Sequence, residues 1–366
     1  MLQHEKAAPD VASDVDPDPH AFIRAAMEWH FSSATGSPYW LKRAESLDFD
    51  PRTDVKSFED LALFPNVANE LRDVRVQDLI PRGFGPHPGV VGVFESGGTT
   101  GAPKRIVMLR EWWDRMLAWQ LADSDARGVP TDRDWLVLAP SGPHMVGEIF
   151  RQLATARGGV RFTIDMDPRW VKKIMAAGKA DEAEAYAEHL IDQAAFVLQT
   201  QDIGVVVSTP PLLERLAERD DLVELMRRKV QAIEWVGAHM DADTRRLYRT
   251  EVFPGVTLCG AYGNTMALGG GLERLDLTDE DPCIFDPLSP YITFSIVDPE
   301  SGRKVAYGER GQMVTNHVSR SFLLPNNLER DTAIRIPPLG GQVGDSVADV
   351  APVKRFDDTT VIEGVY

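Results

Sequence analysis

An α/β fold, doubly wound around mainly parallel sheets with a smaller β-rich, barrel-like subdomain, is predicted by three features of this sequence. Apolar β-type runs at 90–94, 106–109, 135–139, 160–164, 204–208 and 232–236 alternate with helical segments, the pattern of parallel strands joined by crossover helices. After Asp276 the pattern changes to short extended runs at 291–297, 311–315 and 333–336, broken by Asp-Pro, Ser-Gly and Pro-Pro turns. The length of 366 residues, 43% hydrophobic and 26% charged, suffices for two or three packed subdomains of an ordinary globular chain.

The first 20 residues read as a disordered acidic leader, because Asp10, Asp14, Asp16 and Asp18 alternate with prolines and too few apolar side chains to offset ordering entropy. The folded part is expected over 21–366, with α/β subdomains at 21–276 and the β-rich subdomain at 277–366. Segments 22–31, 39–44 and 58–64 have the spacing of short amphipathic helices. A helix over 110–122 follows the strand at 106–109; it places Trp112, Met116 and Trp119 on one side and Trp113, Leu117 and Gln120 on another, tryptophans that read as core. Asp167 before Pro168 predicts a capped helix reaching Met175, and Thr209 before Pro210 and Pro211 predicts another. Between them a long polar helix is expected over 179–200.

A formal net charge of −17 without a Lys/Arg cluster argues against nucleic acid and anionic membrane as partners. Cys259 and Cys283 are too few for a disulfide framework and form no metal-binding pair, which fits a reducing cytoplasm. The acidic N-terminus is the opposite of a signal peptide, and no apolar run approaches membrane-spanning length.

The most informative stretch is 94–105, Phe-Glu-Ser-Gly-Gly-Thr-Thr-Gly-Ala-Pro-Lys-Arg. Its Gly97, Gly98 and Gly101, the hydroxyls of Ser96, Thr99 and Thr100, and Lys104 suit a loop that holds phosphate through backbone N–H groups and a cation. The bland alternative is a solvated Gly-rich turn between strands. The spacing excludes a Walker loop, since Ala102 and Pro103 precede the lysine and Arg105 follows it. The string resembles the Ser-Ser-Gly-Thr-Thr-Gly-x-Pro-Lys signature of the adenylate-forming superfamily, which includes acyl-CoA synthetases, aryl-acid ligases, luciferases and peptide-synthetase adenylation domains.

Further segments match that superfamily in its order. The resemblance of 136–150, LVLAPSGPHMVGEIF, implies that His144 lines the acyl-substrate pocket; a metal site with Glu148, Asp165 and Asp167 is the rival reading, without a defined third ligand. Gly237, Ala238 and His239 resemble the turn that packs on adenine. In 258–268, LCGAYGNTMAL, the resemblance implies an adenine site at Ala261, Tyr262 and Gly263, with the Tyr262 ring stacked on the base and Thr265 near the α-phosphate. Met266 departs from the family, which has a glutamate there that helps hold Mg²⁺; a thioether is a poor ligand for a hard cation, so Glu95 or the phosphates would have to supply the oxygen. Gly344-Asp345 resembles the signature whose carboxylate accepts from the ribose hydroxyls, with a plain turn as the alternative. In 354–366, KRFDDTTVIEGVY, the resemblance places Arg355 near the ribose and Asp357 at a hinge, after which the family has a small lysine-bearing domain and this sequence has nine residues.

The implied chemistry uses ATP to activate a carboxylic acid as an acyl-adenylate. Branch features are similar to phenylacetate-CoA ligases, and the opening HFSSATGSPYWLKRA together with the early end resembles C-terminally shortened adenylating proteins of phenazine antibiotic biosynthesis, so an aryl, phenazine-type acid is the expected substrate. The competing class is a non-catalytic protein that binds ATP, AMP or an aryl-adenylate. A third reading is one component of a carboxylate-reducing or acyl-transferring complex, with a second copy or a partner enzyme supplying the missing function.

Overall fold

The computed structural model describes residues 18–96 and 102–353, together with the backbone of 355–356 and 359–360. The expectations for residues 1–17, Gly97–Gly101, Lys354 and Asp357 lie outside the described residues.

The first described element is helix α1 (Pro19–Phe31), where the Asp18 carboxylate accepts from His20 N and Ala21 N and Pro19 starts the first turn. Helices α2 (Pro38–Ala44) and α3 (Pro51–Asp54) repeat the device, with Ser37 and Asp50 as caps before proline. The helix expected at 58–64 is instead a tight 3₁₀ turn, Glu59–Leu63, since Pro65 forces Phe64 into an extended conformation. Trp29 and Trp40 pin this N-terminal layer to the far end of the chain, their indole N–H groups donating to Arg320 O at 2.8 Å and Leu323 O at 3.0 Å.

A hairpin, β1 (Val90–Glu95) and β2 (Arg105–Leu109), feeds α4 (Arg110–Ala126). The alternating region follows as β3 (Asp134–Leu138), α5 (Met145–Ala156), β4 (Arg161–Thr163), α6 (Pro168–Ala176), α7 (Ala180–Thr200), β5 (Ile203–Ser208), α8 (Pro210–Ala217), α9 (Asp220–Lys229), β6 (Ala232–Val236), α10 (Ala242–Leu247) and β7 (Thr257–Asn264). Asp167 caps α6 as its sequence predicts, accepting from Arg169 N and Trp170 N. Thr209 stands at the start of α8 but does not cap it; its hydroxyl is buried without a partner.

The later strands are β8 (Gly269–Glu273), β9 (Ile284–Pro287), β10 (Ile292–Val297), β11 (Arg310–Val318), β12 (Leu323–Ile336) and β13 (Ser346–Pro352). One sheet runs β10-β11-β12-β13-β9-β8-β7-β6-β5-β3-β4, parallel from β4 to β7 and antiparallel from β7 outward. The β-rich stretch is therefore hydrogen-bonded into the same sheet as the parallel strands, through β8 and β9. It curls, because an antiparallel bridge joins Phe294 of β10 to Asp345, just ahead of β13. Trp112 and Trp113 are fully buried core residues, as expected, but Trp119 is only partly buried. No helix among the described residues is long and apolar enough to cross a membrane.

Where parallel and antiparallel halves meet, Glu273 of β8 is buried with 1% of its side chain exposed. It accepts from Arg245 at 2.7 and 3.0 Å, from Arg249 at 3.0 Å and from Gly260 N of β7 at 2.7 Å. Arg245 is itself 0% exposed, so removing the carboxylate would strand a buried cation. Glu273→Ala is expected to cost about 3–5 kcal/mol of unfolding free energy, read as a large fall in the urea midpoint.

Candidate functional site

The C-terminal ends of β3, β5, β6 and β7 open into a cavity of about 710 Å³. That is where an open α/β sheet leaves room for a ligand, because the loops leaving adjacent strands part there. Ala139 and Pro140 follow β3, Thr209 follows β5, Gly237, Ala238 and His239 follow β6, and Thr265 and Met266 follow β7; all of them line the cavity.

The hairpin closes one end. Ser96 N donates to Lys104 O, and the Ser96 hydroxyl accepts from Lys104 N, both at 3.0 Å, so the two ends of the Gly-rich loop are locked together at its base. Glu95 N donates to Pro143 O at 2.8 Å, which ties this base to the loop carrying His144. The Glu95 carboxylate pairs with Arg105 at 2.9 Å and with Arg169 of α6. It is thereby engaged by two cations and is not the spare oxygen donor that the missing glutamate at 266 would call for. His144 begins α5 and faces the cavity; burial first, and then the charge of Arg169, hold its imidazole below the ordinary histidine range.

A second wall is apolar. Met116 and Trp119 come from α4, and Met145, Ile149 and Phe150 from α5. Gln120 of α4 is the polar exception there, and Lys172 of α6 also lines the cavity. Trp119 thus faces the cavity rather than the core, a placement the helical spacing alone does not distinguish.

The third wall is β12, which contributes Glu329, Arg330 and Asp331. Tyr262 on β7 donates its hydroxyl to Asp331 at 2.8 Å, and its ring lies against Phe285 and Phe294. Burial and then the Asp331 charge push the Tyr262 phenol well above its usual range, and burial also raises Asp331. Glu329, which accepts from Asn327 at 2.6 Å, is pushed up to about 8 by burial, with Asp331 adding to the effect.

The cavity brings together Ser96, Lys104, His144, Gly237, Ala238, His239, Ala261, Tyr262, Gly263, Thr265 and Met266. His239 is clamped at its edge, with Nδ1 3.0 Å from Val350 O and Nε2 3.3 Å from Asp349. Asp345 is not brought in. It is 2% exposed, its N–H donates to Phe294 O, and its Oδ2 lies 2.9 Å from Arg335 Nε, a charge contact without the alignment of a hydrogen bond. Gly344 has φ of +81°, and a Cβ there would sit 2.9 Å from Phe294 O, so the Gly-Asp pair has the geometry of a turn. Arg355 is described only as backbone, paired with Thr360. In place of Asp345 the cavity offers Asp331, whose signal in the sequence is a Glu-Arg-Asp run inside an otherwise strand-like stretch.

For metals, Glu148 turns to Arg151 and Gln152, and no group of three or more His, Cys, Asp or Glu suited to an ion occurs among the described residues. The Met266 thioether lines the cavity and does not suit a hard cation, while Glu329 and Asp331 carry the right oxygen chemistry.

No protein-family model matches the sequence, and no curated protein matches it. Among solved structures the chain is similar to 2-hydroxyisobutyryl-CoA ligase. In complex with 2-HIB-AMP and CoA in the thioesterification state, that enzyme has a TM-score of 0.64 and 17% identity, over 94% of this chain and 69% of that one. Its open conformation with 2-HIB-AMP and CoA gives 0.59 and 16%, over 90% and 73%. Its postadenylation state with R3-HIB-AMP gives 0.60 and 16%, over 92% and 68%. The likeness establishes the fold, which this chain shares with that ligase.

The raised Glu329 makes a stability prediction. Its folded pKa of about 8 exceeds the ordinary carboxylate value of 4.5, so the folded state holds the proton longer than the unfolded chain. The associated stability is present below about pH 4.5 and is lost as pH rises through about 8. Glu329→Gln should flatten the fall of melting temperature between pH 5 and 8, with the variant gaining on the native protein at the alkaline end.

Proposed function

We propose that this protein is an ATP-dependent, AMP-forming ligase that activates an aryl carboxylic acid as its acyl-adenylate. The observation that carries the reading is a single cavity joining three chemically distinct walls: the hairpin base with Lys104, an apolar wall with Trp119 and Phe150, and the Tyr262–Asp331 pair. ATP has matching parts. The phosphates suit the hairpin and Lys104, the base suits the Tyr262 ring and the 237–239 turn, and the ribose hydroxyls suit a carboxylate acceptor at Asp331.

In the reaction an oxygen of the acid's carboxylate bonds to the α-phosphorus of ATP, the bond from that phosphorus to the β-bridging oxygen breaks, and pyrophosphate leaves with the electron pair. In this reading Lys104 and Thr265, which both line the cavity, would stabilise the charge that builds on the transferring group, since fixed dipoles and cations are the principal means of doing so. His144, kept largely neutral near pH 7, can border the acid without pairing permanently with its carboxylate. Mg²⁺ arriving with ATP would neutralise phosphate charge; Glu329 and Asp331 are the cavity residues able to give it oxygen. The aromatic wall and the likeness of the 30–44 segment to phenazine-pathway proteins support a flat, polycyclic acid of the phenylacetate-CoA-ligase-like branch. Met266 favours the second reading, a protein that holds the nucleotide or an aryl-adenylate for a partner enzyme.

Pyrophosphate exchange across a panel of aryl acids separates the two. Exchange with at least one acid is expected, and ATP binding without exchange for any acid would leave only the binding role. In calorimetry with ATP and AMP, Asp331→Ala should weaken both by roughly 1.5–3 kcal/mol for each ribose hydrogen bond lost, and Asp345→Asn should leave them unchanged. His144→Ala should impair acid binding or turnover and spare nucleotide affinity; equal loss of both would make it a structural histidine.

A further inference from the structure

Three polar side chains sealed in the core have no part in the reaction proposed above: His30 of α1, His317 of β11, and Ser319 just after β11. They form one line toward the cavity. His317 Nδ1 lies 2.5 Å from Ala267 O, and its Nε2 lies 2.7 Å from the Ser319 hydroxyl. A carbonyl only accepts, so Nδ1 carries the imidazole proton; burial pushes the ring down to about 3, so it is neutral and Nε2 must accept. The Ser319 hydroxyl proton goes to that nitrogen rather than to Phe322 O, which is 3.4 Å away, and Phe322 N donates back to the Ser319 oxygen at 3.2 Å. On the far side His30 Nε2 donates to Ser319 O at 2.6 Å. Each proton between α1 and Ala267 thus has one position.

Ala267 belongs to the turn from Thr265 to Leu268 that joins β7 to β8, and the first two residues of that turn line the cavity. Leu268 has φ of +49°, a left-handed conformation that a leucine keeps only where its surroundings hold it. Two aromatic rings do so. His317 donates to Ala267 O, and Trp112 of α4 donates its Nε1 proton to Leu268 O at 2.8 Å; the two rings lie against each other with centroids 4.3 Å apart. Met266, Ala267 and Leu268 are buried, so a carbonyl that lost its donor would find no water in exchange, and the turn would have to shift to recover a partner. We propose that His317 is a positioning residue for the cavity: with Trp112 it sets the place of Thr265 and Met266, and through Ser319 it ties that place to the seating of α1. The turn's part in a reaction rests on the ligase reading above; the bond that holds it does not.

Long-range proton–nitrogen NMR of the full chain labelled at histidine tests the line directly. The His317 ring is expected to be neutral with its proton on Nδ1 between about pH 5 and 8, and a proton on Nε2 would overturn the proposal, because that tautomer has nothing to donate to Ala267 O. Variants then separate the bond from the packing. The amide nitrogen of His317→Asn takes the place of Nδ1, whereas that of His317→Gln reaches toward Ser319 instead. His317→Gln should move the Met266 methyl resonance, identified by its loss in Met266→Leu, and slow pyrophosphate exchange about tenfold or more at saturating ATP, with KM for ATP within about threefold. His317→Asn should bring both back near native. Equal behaviour of the two variants would show that only the packing of His317 matters and would overturn the proposal. Ser319→Ala and His30→Phe break the line farther from the turn and should shift the same methyl by successively smaller amounts; no shift in either would overturn the tie to α1. Because these two leave the imidazole in place, they decide the matter even where the glutamine variant does not fold. A native protein that exchanges with no acid would end the ligase reading, while the tautomer and the Met266 methyl would still decide this one.

Discussion

The seam between β7 and β8 is the constraint on which the rest of the structure depends. The sheet changes there from parallel to antiparallel, and the two strands approach so closely that a Cβ on Gly270 would collide with Tyr262 O. Glu273 closes the seam from below with its contacts to Gly260 N, Arg245 and Arg249. A buried ion pair is not an economical source of stability, since desolvation offsets most of the Coulomb gain, but it is specific: a shifted register would leave charges unpaired in the interior. Tyr262 lies in this seam, paired with Gly271, and Thr265 and Met266 follow β7 directly, so the same register that satisfies Glu273 also sets where the cavity wall lies.

Much of the fold is legible in the sequence because local signals and tertiary placement agree. Apolar β-type runs at 135–139, 204–208 and 232–236 become adjacent parallel strands, and the Asp167-Pro168 cap starts α6 where it should. Strand β8 is not legible, because Gly269-Gly270-Gly271 looks like a loop until the partner strand explains why side chains are excluded. Likewise Thr209 looks like a cap, and only the structure shows its hydroxyl turned into the interior.

The candidate site divides along the same line. Contiguous motifs, the hairpin base, the 237–239 turn and the segment around Tyr262, arrive at one cavity because each directly follows a strand or joins two. Single residues from elsewhere are not legible. Arg72, Lys172, Glu329 and Asp331 reach the cavity through tertiary folding, from a 3₁₀ turn, a helix and a strand far apart in the chain. Asp345 is the converse case, a recognisable dipeptide that folding places against Arg335 instead. Charge is distributed along the cavity in the same way, with cations by the hairpin and carboxylates on β12, although overall composition shows only the acidic excess.

The two indole anchors of the N-terminal layer bear on how the chain reaches this state. Trp29 donates to a carbonyl 291 residues away and Trp40 to one 283 residues away, and His30 meets Ser319 O across 289. Such separations mean high contact order: the surface that receives α1 and α2 does not exist until β11 and β12 have been synthesised and paired. On a ribosome α1 and α2 therefore emerge with Trp29, Phe31 and Trp40 uncovered until residues 319–323 follow. The N-terminal layer therefore cannot complete these contacts until residues 319–323 are in place, which leaves its apolar side chains open to chaperones and to aggregation until then.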